Sequence, residues 1–83
     1  MHPFAWQFEK KTGQWCVMDW YYSEIYEGLY QAGTPLHRLE HRYGRRRTEV
    51  YVYELNLEAM TQKNVTTKTV RKIRRVTWKE LLA

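Results

Sequence analysis

The chain opens with a strict alternation of aromatic and polar residues. Phe4, Trp6 and Phe8 alternate with alanine, glutamine and glutamate, which places three rings on one face of a β-strand. A Lys-Lys-Thr-Gly turn follows, and a second short strand begins near Trp15. The first 17 residues are therefore predicted to form a β-hairpin.

After residue 21 the apolar spacing becomes that of a helix. Large residues recur at the i, i+4, i+7 and i+8 positions of one helix face: Tyr22, Tyr26, Leu29 and Tyr30. Ser23 is a suitable N-cap, and Gly33 followed by Pro35 ends the segment. We expect a helix of about ten residues from Ser23 to Ala32, with its aromatic stripe packed on a sheet and Trp6 beneath it.

The second half of the chain reads as strands. Residues 36–42 form a weak strand pattern, a turn follows at 43–45, and residues 47–55 alternate as a long hairpin arm. Asn56 can cap a single turn, residues 65–78 form a final strand or hairpin, and residues 79–83 read as a frayed tail. The order predicts one α+β domain over residues 1–78, a curved antiparallel sheet with a helix on its concave side.

Composition changes this prediction little but adds a charge asymmetry. With 83 residues there is room for one core, and the 16% of aromatic residues helps to fill it. Two lysines stand against four acids up to Gly33, whereas twelve Lys and Arg stand against five acids after it. The basic portion favours an anionic partner, although a solvated basic face would have the same composition.

Enzyme, metal and membrane functions find little support in the sequence. There is no glycine-rich phosphate loop and no recognisable Ser, His and Asp set. His37 and His41 lie in a predicted strand, where four residues span ~13 Å, too far for one ion with short ligand bonds. No apolar run approaches 18 residues, and the single cysteine, Cys16, suggests a reducing, intracellular compartment. We expect no cofactor, no metal and a monomer.

Basic residues occur on both faces of the last strand. Arg71, Ile73 and Arg75 share one face, and Lys72 and Arg74 share the other. Arginine matches phosphate with a planar fork and also stacks on flat rings. Together with Trp and Tyr, one of these sets can hold a nucleotide, with rings for the base and guanidinium for phosphate.

At the level of ordered motifs, the chain resembles the WWE domain. Trp6, Trp15 and Glu27 stand where that family has its two Trp and its Glu, and residues 26–33 are similar to its helix. Residues 53–66 resemble its Tyr, Asp-Leu, Met-x-Gln-x-Asn and Thr signature, and residues 71–75 resemble its basic strand. The resemblance covers residues 4–75, and it implies an antiparallel half-barrel of about six strands around one helix.

The resemblance also implies a function. WWE domains occur beside ubiquitin-ligase and ADP-ribosyltransferase modules, and several bind iso-ADP-ribose within poly(ADP-ribose), a terminal ADP-ribose or a related adenine nucleotide. Carried over by position, Trp6 and Glu27 are the structural signature, and the ligand residues are Phe8, Trp15, Tyr53, Gln62 and Arg71. Where this chain has Phe8, the poly(ADP-ribose) binders often have Tyr, so one phosphate-directed hydroxyl is missing.

Two other functions remain open at this point. The domain could be a protein-interaction module with a collapsed pocket, or a basic binder of single-stranded nucleic acid. The first is distinguished by whether Tyr53, Gln62 and Arg71 converge on an open cavity. The second would show steep salt dependence.

Overall fold

One antiparallel sheet and one main helix make up the fold. The computed structural model describes residues 3–83, with the elements β1 (Phe4–Lys11), β2 (Gln14–Val17), α1 (Trp20–Gln31), β3 (Leu36–Tyr43), β4 (Glu49–Asn56), β5 (Thr61–Asn64), β6 (Val70–Thr77) and α2 (Trp78–Leu82). The six strands follow the order β2-β1-β6-β5-β4-β3, an open antiparallel sheet. The predicted α+β architecture is confirmed.

Pairing between the two ends of the chain builds the middle of the sheet. The predicted hairpin of β1 and β2 is present, and Gly13 adopts the left-handed φ of 79° at its turn. On its other side β1 pairs with β6, where Phe8 stands opposite Ile73. This long-range pairing places the aromatic first strand beside the basic last strand.

Helix α1 packs on one side of this sheet, called here the inner face. Trp6 and Tyr26 are fully buried between the helix and the sheet, and their rings meet edge to face at 6.0 Å. Leu55 and Ile73 extend the same core from β4 and β6. The predicted packing of the helix over Trp6 is therefore observed.

The helix starts three residues earlier than the sequence predicted. Asp19 is its N-cap, and the Asp19 carboxylate accepts a hydrogen bond from the backbone N–H of Tyr21 at 2.9 Å. Ser23, the predicted cap, lies inside the helix and accepts a hydrogen bond from the backbone N–H of Trp6 at 2.9 Å. Ser23 thus satisfies a buried donor of β1 rather than the helix end.

Two further segments differ from the sequence analysis, which assigned no element to residues 61–64 and a frayed tail to residues 79–83. Residues 61–64 form β5, although Thr-Gln-Lys-Asn shows no apolar alternation, because β4 and β6 pair with it on both sides. Residues 78–82 form the short helix α2 instead of a frayed tail, since Thr77 and Glu80 make a reciprocal capping box. The Asn56 turn is confirmed, with Asn56 Oδ1 accepting from Glu58 N and Ala59 N.

The arginine-rich segment lies in the turn between β3 and β4. Gly44 and Arg47 both have positive φ, 89° and 56°, and the side chains of Arg45 and Arg46 are exposed. Arg47 Nη1 donates to the backbone oxygen of Arg42 at 3.1 Å, which closes the turn. Tyr43, predicted to be in the turn, is instead the last residue of β3.

Candidate functional site

A cavity of about 170 Å³ opens on the inner face beside the start of α1. The sheet contributes Phe8 from β1, Tyr53 from β4, Gln62 from β5 and Arg71 from β6. These four residues come together because Gln62 stands opposite Arg71 in the pairing of β5 with β6, and the other two lie on the flanking strands.

A second cavity adjoins the first. It measures about 230 Å³ and shares Tyr53, Gln62 and Arg71 with it, while Asn64 and Thr67 line its far side. Each alone is smaller than the ~300–1,000 Å³ of an ordinary ligand site. The two adjoin at the three residues that they share, and together they are called here the cleft.

Trp15 does not line either cavity. On β2 it stands opposite Glu9, and successive residues of a strand point to opposite faces, so Trp15 lies on the outer face while Phe8 faces inward. There the Arg74 guanidinium covers it at 4.1 Å from the ring centroid. The sequence assignment of Trp15 to the ligand set is not supported by this placement.

The Gln62 side chain has one polar atom without a partner. Gln62 is 6% exposed, and its Nε2 donates to the Tyr26 hydroxyl at 3.2 Å. Its Oε1 is buried and has no hydrogen-bond partner anywhere in residues 3–83. A buried carbonyl oxygen without a partner costs about 1–3 kcal/mol.

The Arg71 side chain is held at the mouth of the cleft. Its Nη1 donates to the backbone oxygen of Lys10 at 2.6 Å and to that of Glu9 at 3.3 Å. These bonds tie the guanidinium to the end of β1. The cation therefore stands in a fixed position beside the cleft, where an anionic group of a ligand would meet it.

Residues from α1 and β3 form the other end of the first cavity. Asp19, Tyr22, His41 and Tyr43 line it, together with Met18. The His41 ring stacks on Tyr22 with centroids 4.0 Å apart, and burial lowers the pKa of His41 to about 4. This end is aromatic, it carries the Asp19 carboxylate, and its histidine is neutral near pH 7.

None of these residues was predicted from the sequence. A signal was available, because Leu39, His41 and Tyr43 alternate along β3 and so share a face. Asp19 and Tyr22 belong to a helix start that was placed three residues too late. The packing of α1 against β3 brings the four together.

Beneath the helix, Glu27 and Trp6 form a buried structural cluster. Glu27 is fully buried and accepts from Trp6 Nε1 at 3.0 Å and from Gln31 Nε2 at 2.8 Å. Arg75 makes two bonds to the same carboxylate, at 2.6 and 2.8 Å, while Phe4 and Tyr30 flank its guanidinium. The hydrogen bonds from Arg75 lower the pKa of Glu27 to about 2 despite burial. Glu27 is thus satisfied within the protein and does not line the cleft.

A further hollow measures about 460 Å³. It lies between α1 and β3 and is lined by residues that include Tyr21, Ile25 and Leu39. Of the three charged residues that line it, Arg42 and Glu40 form an exposed ion pair at 2.9 Å, and Arg47 donates to the backbone oxygen of Arg42. Lacking an unsatisfied buried polar group, this hollow is a weaker candidate than the cleft.

Residues 3–83 hold neither a candidate metal site nor a membrane-spanning helix. Within the described residues, no group of three or more His, Cys, Asp and Glu side chains is placed to hold a metal ion. His37 and His41 both lie on β3, and His41 is bonded through its ring nitrogens to two tyrosines. No helix in residues 3–83 is long and apolar enough to cross a membrane.

An open cleft that is lined by aromatic rings, an amide and a guanidinium is typical of a small ligand-binding module. The WWE domain family model matches residues 4–75, and the chain therefore belongs to the WWE family. This is a family of non-catalytic binding modules known to recognise ADP-ribose and poly(ADP-ribose). A search among curated proteins finds no sequence that matches this chain.

Proposed function

We propose that this domain recognises an ADP-ribose unit in the cleft formed by Phe8, Tyr53, Gln62 and Arg71, and so directs an attached ubiquitin-ligase or ADP-ribosyltransferase domain to modified proteins inside the cell. The observation that carries the proposal is the convergence of Tyr53, Gln62 and Arg71 on an open cleft. A protein-interaction module without a ligand site would have these three side chains packed against one another.

The distribution of charge gives the ligand an orientation. Asp19 stands at the aromatic end of the cleft, and Arg71 stands at the junction of its two cavities. A pyrophosphate is repelled by the first and attracted by the second. The adenine base therefore belongs at the aromatic end beside Tyr22 and Tyr43, and the phosphates belong near Arg71.

The side chain at position 8 narrows the choice among ADP-ribose ligands. Phe8 contributes a ring to the cleft but no hydroxyl that could bind a second phosphate. We therefore favour a terminal ADP-ribose or a free adenine nucleotide over the internal iso-ADP-ribose unit. If this reasoning holds, Phe8→Tyr should raise the affinity for iso-ADP-ribose more than the affinity for ADP-ribose.

Calorimetry with three ligands tests the proposal. The domain is titrated with ADP-ribose, with iso-ADP-ribose and with a short single-stranded oligonucleotide at physiological salt. We expect saturable binding of ADP-ribose and weaker binding of the other two. If neither ADP-ribose compound binds, the proposed function is wrong, and if the oligonucleotide binds most tightly, the domain is a nucleic-acid binder.

A further inference from the structure

Strand β3 forms one edge of the sheet, and the side of it that faces away from β4 is called here the free edge. β3 pairs with β4 over the eight residues Leu36–Tyr43 and is the last strand in the sheet of residues 3–83. The opposite edge strand, β2, has only four residues and an irregular register with β1. A long edge strand presents backbone N–H and C=O groups with which a further strand can pair.

Hydrogen bonds at the two ends of β3 show which backbone groups face the free edge. The oxygen of Pro35 accepts from the N–H of Leu57 at 2.7 Å, on the side of β4. The Tyr22 hydroxyl instead bonds to both the N–H and the oxygen of Arg42, on the side away from β4. Residues of an antiparallel pair alternate between these two sides. The residues in phase with Arg42 therefore direct their N–H and C=O groups to the free edge: Leu36, Arg38 and Glu40.

The part of the free edge that can accept a strand ends at Arg42. The Tyr22 hydroxyl occupies both edge-facing groups of Arg42, and Arg47 Nη1 donates to the same oxygen. Residues 36–40 lie before this point, and they span ~17 Å at the rise of an antiparallel strand. A partner strand of about five residues can pair there and would end against Tyr22.

Two hollows follow the free edge. The hollow of about 460 Å³ lies between α1 and β3 and is lined by Ile25, Leu39 and Glu40, among others. Because Leu39 and Glu40 are successive residues of a strand and point to opposite faces, this hollow opens at the edge itself. A further hollow of about 290 Å³ lies at the start of β3, beside Leu36 and Arg38. A groove between a helix and an edge strand is typical of domains that bind extended peptides by strand addition.

The side chains along this groove indicate the composition of the partner. Tyr21, Ile25 and Leu39 form an apolar wall on the inner side, and every second side chain of an added strand would pack on it. The remaining side chains of the partner would face the charged outer side of β3. From residue 40 to residue 49, four arginines stand against two glutamates, so this end of the groove is positive. A strand that alternates apolar with acidic residues fits both sides.

We propose that the free edge of β3 binds an extended acidic peptide segment of another protein by β-strand addition, with the apolar side chains of the segment in the hollow between α1 and β3. This site is separate from the cleft, since Tyr22 is the one residue that lines both. The inference does not rest on the proposed function, because a domain that binds no ADP-ribose would still present the same edge.

Amide hydrogen exchange measures whether the edge is free. In the domain alone, the amides of Arg38 and Glu40 should exchange rapidly, whereas those of Leu39 and His41 should be protected because they face β4. Slow exchange of Arg38 and Glu40 in the dilute domain would contradict the proposal. If their protection increases with protein concentration, a second copy of the chain occupies the edge and the proposal is wrong.

The probe for binding is an acetylated and amidated peptide that alternates valine with glutamate. The control peptide has lysine in place of each glutamate. In titrations of the ¹⁵N-labelled domain at physiological salt, we expect saturable shifts at residues 36–40 and new protection of the Arg38 and Glu40 amides. The lysine peptide should bind at least about fivefold more weakly. No saturation with the glutamate peptide, shifts at the cleft alone, or equal affinity for the two peptides would overturn the proposal.

Glu40→Pro and Glu40→Thr are the matched variants. Both remove the same carboxylate, but only proline removes the edge-facing N–H, and an edge position whose N–H faces solvent tolerates proline. We expect Glu40→Pro to bind the glutamate peptide at least about tenfold more weakly than Glu40→Thr, with circular dichroism to verify folding. Equal affinities would show that the peptide does not pair with the backbone, and the proposal would be wrong. If Glu40→Pro does not fold, the exchange of the Arg38 and Glu40 amides in the unaltered domain decides.

Discussion

Arginine residues in this domain differ in what surrounds them. Arg71 lines the cleft, and two backbone oxygens of β1 hold it there. Arg45 and Arg46 project from an exposed turn, where water and salt screen them. A phosphate bound by Arg71 forms a charge-assisted hydrogen bond in a partly desolvated position, so the charges should contribute unequally to ligand affinity.

Single and multiple substitutions make this difference measurable. Arg71→Ala should weaken ADP-ribose binding by about 10- to 150-fold, because a hydrogen bond to a charged group contributes about 1.5–3 kcal/mol. The triple alanine variant of Arg45, Arg46 and Arg47 should retain most of the affinity, since each exposed charge contributes less than about 1 kcal/mol. Calorimetry at physiological salt compares them, with circular dichroism to verify folding. Equal losses would place the ligand on the basic surface.

Two buried groups make the stability of the domain depend on pH. The pKa of His41 is lowered to about 4 from an ordinary value of 6.5, and that of Glu27 is lowered to about 2 from 4.5. In both cases the unfolded chain binds the proton more readily than the folded one. The stabilisation is therefore complete above the unfolded pKa and is lost as the pH falls toward the folded pKa.

The urea midpoint should accordingly decrease in two overlapping steps, over pH 6.5 to 4 from His41 and over pH 4.5 to 2 from Glu27. His41→Phe should remove the upper step only. The hydrogen bond from Arg38 also lowers the pKa of Glu54, so Glu54→Gln should preserve the upper step and change the lower one only slightly, because this ion pair is exposed. An unchanged upper step in His41→Phe would show that another group titrates there.

At the scale of elements, the sequence predicted the helix and the strands that have an apolar repeat within their own residues. The hairpin of β1 and β2 and the helix α1 each follow from local periodicity. Strand β5 did not, since Thr61–Asn64 is polar and is a strand only because neighbours pair on both sides. The helix start was misplaced because Ser23 has the residue type of a cap but forms a tertiary hydrogen bond.

Local sequence patterns were also insufficient to predict the whole site. Four of the five ligand residues assigned by resemblance meet at the cleft, and Trp15 does not, because β-strand alternation directs it to the outer face. His41 was considered only as a metal ligand. Its place beside Gln62 depends on the packing of α1 over β3, which no local pattern reveals.

Ser23→Ala tests the role of that hydroxyl. The substitution leaves the buried N–H of Trp6 without an acceptor, so we expect a loss of about 1–3 kcal/mol in the free energy of unfolding. Asp19→Asn should cost less than about 0.5 kcal/mol, since Asn is as good an N-cap as Asp. Urea denaturation measures both. A loss for Ser23→Ala no larger than that for Asp19→Asn would contradict the tertiary role.

At the scale of the whole molecule, binding that is caused by the net charge must be distinguished from binding in the cleft. The chain carries a net charge of +5, and this charge attracts any polyanion at low salt. A ligand with two phosphates displaces few counterions, so its affinity should fall only mildly between 50 and 200 mM salt. Nucleic acid held by six or more basic residues would lose about 10³-fold or more over that range. Calorimetry at both salt concentrations measures the slope, and a steep slope for ADP-ribose would indicate surface binding.

The central claim is that the ligand enters the cleft, and chemical-shift mapping tests it most directly. The ¹⁵N-labelled domain is titrated with ADP-ribose while backbone amides and the Gln62 side-chain amide are followed. We predict the largest changes at the Gln62 amide, with further changes at Phe8, Tyr53 and Arg71, and little change in the turn at residues 44–48. Changes confined to that turn, or absent at Gln62, would contradict the account.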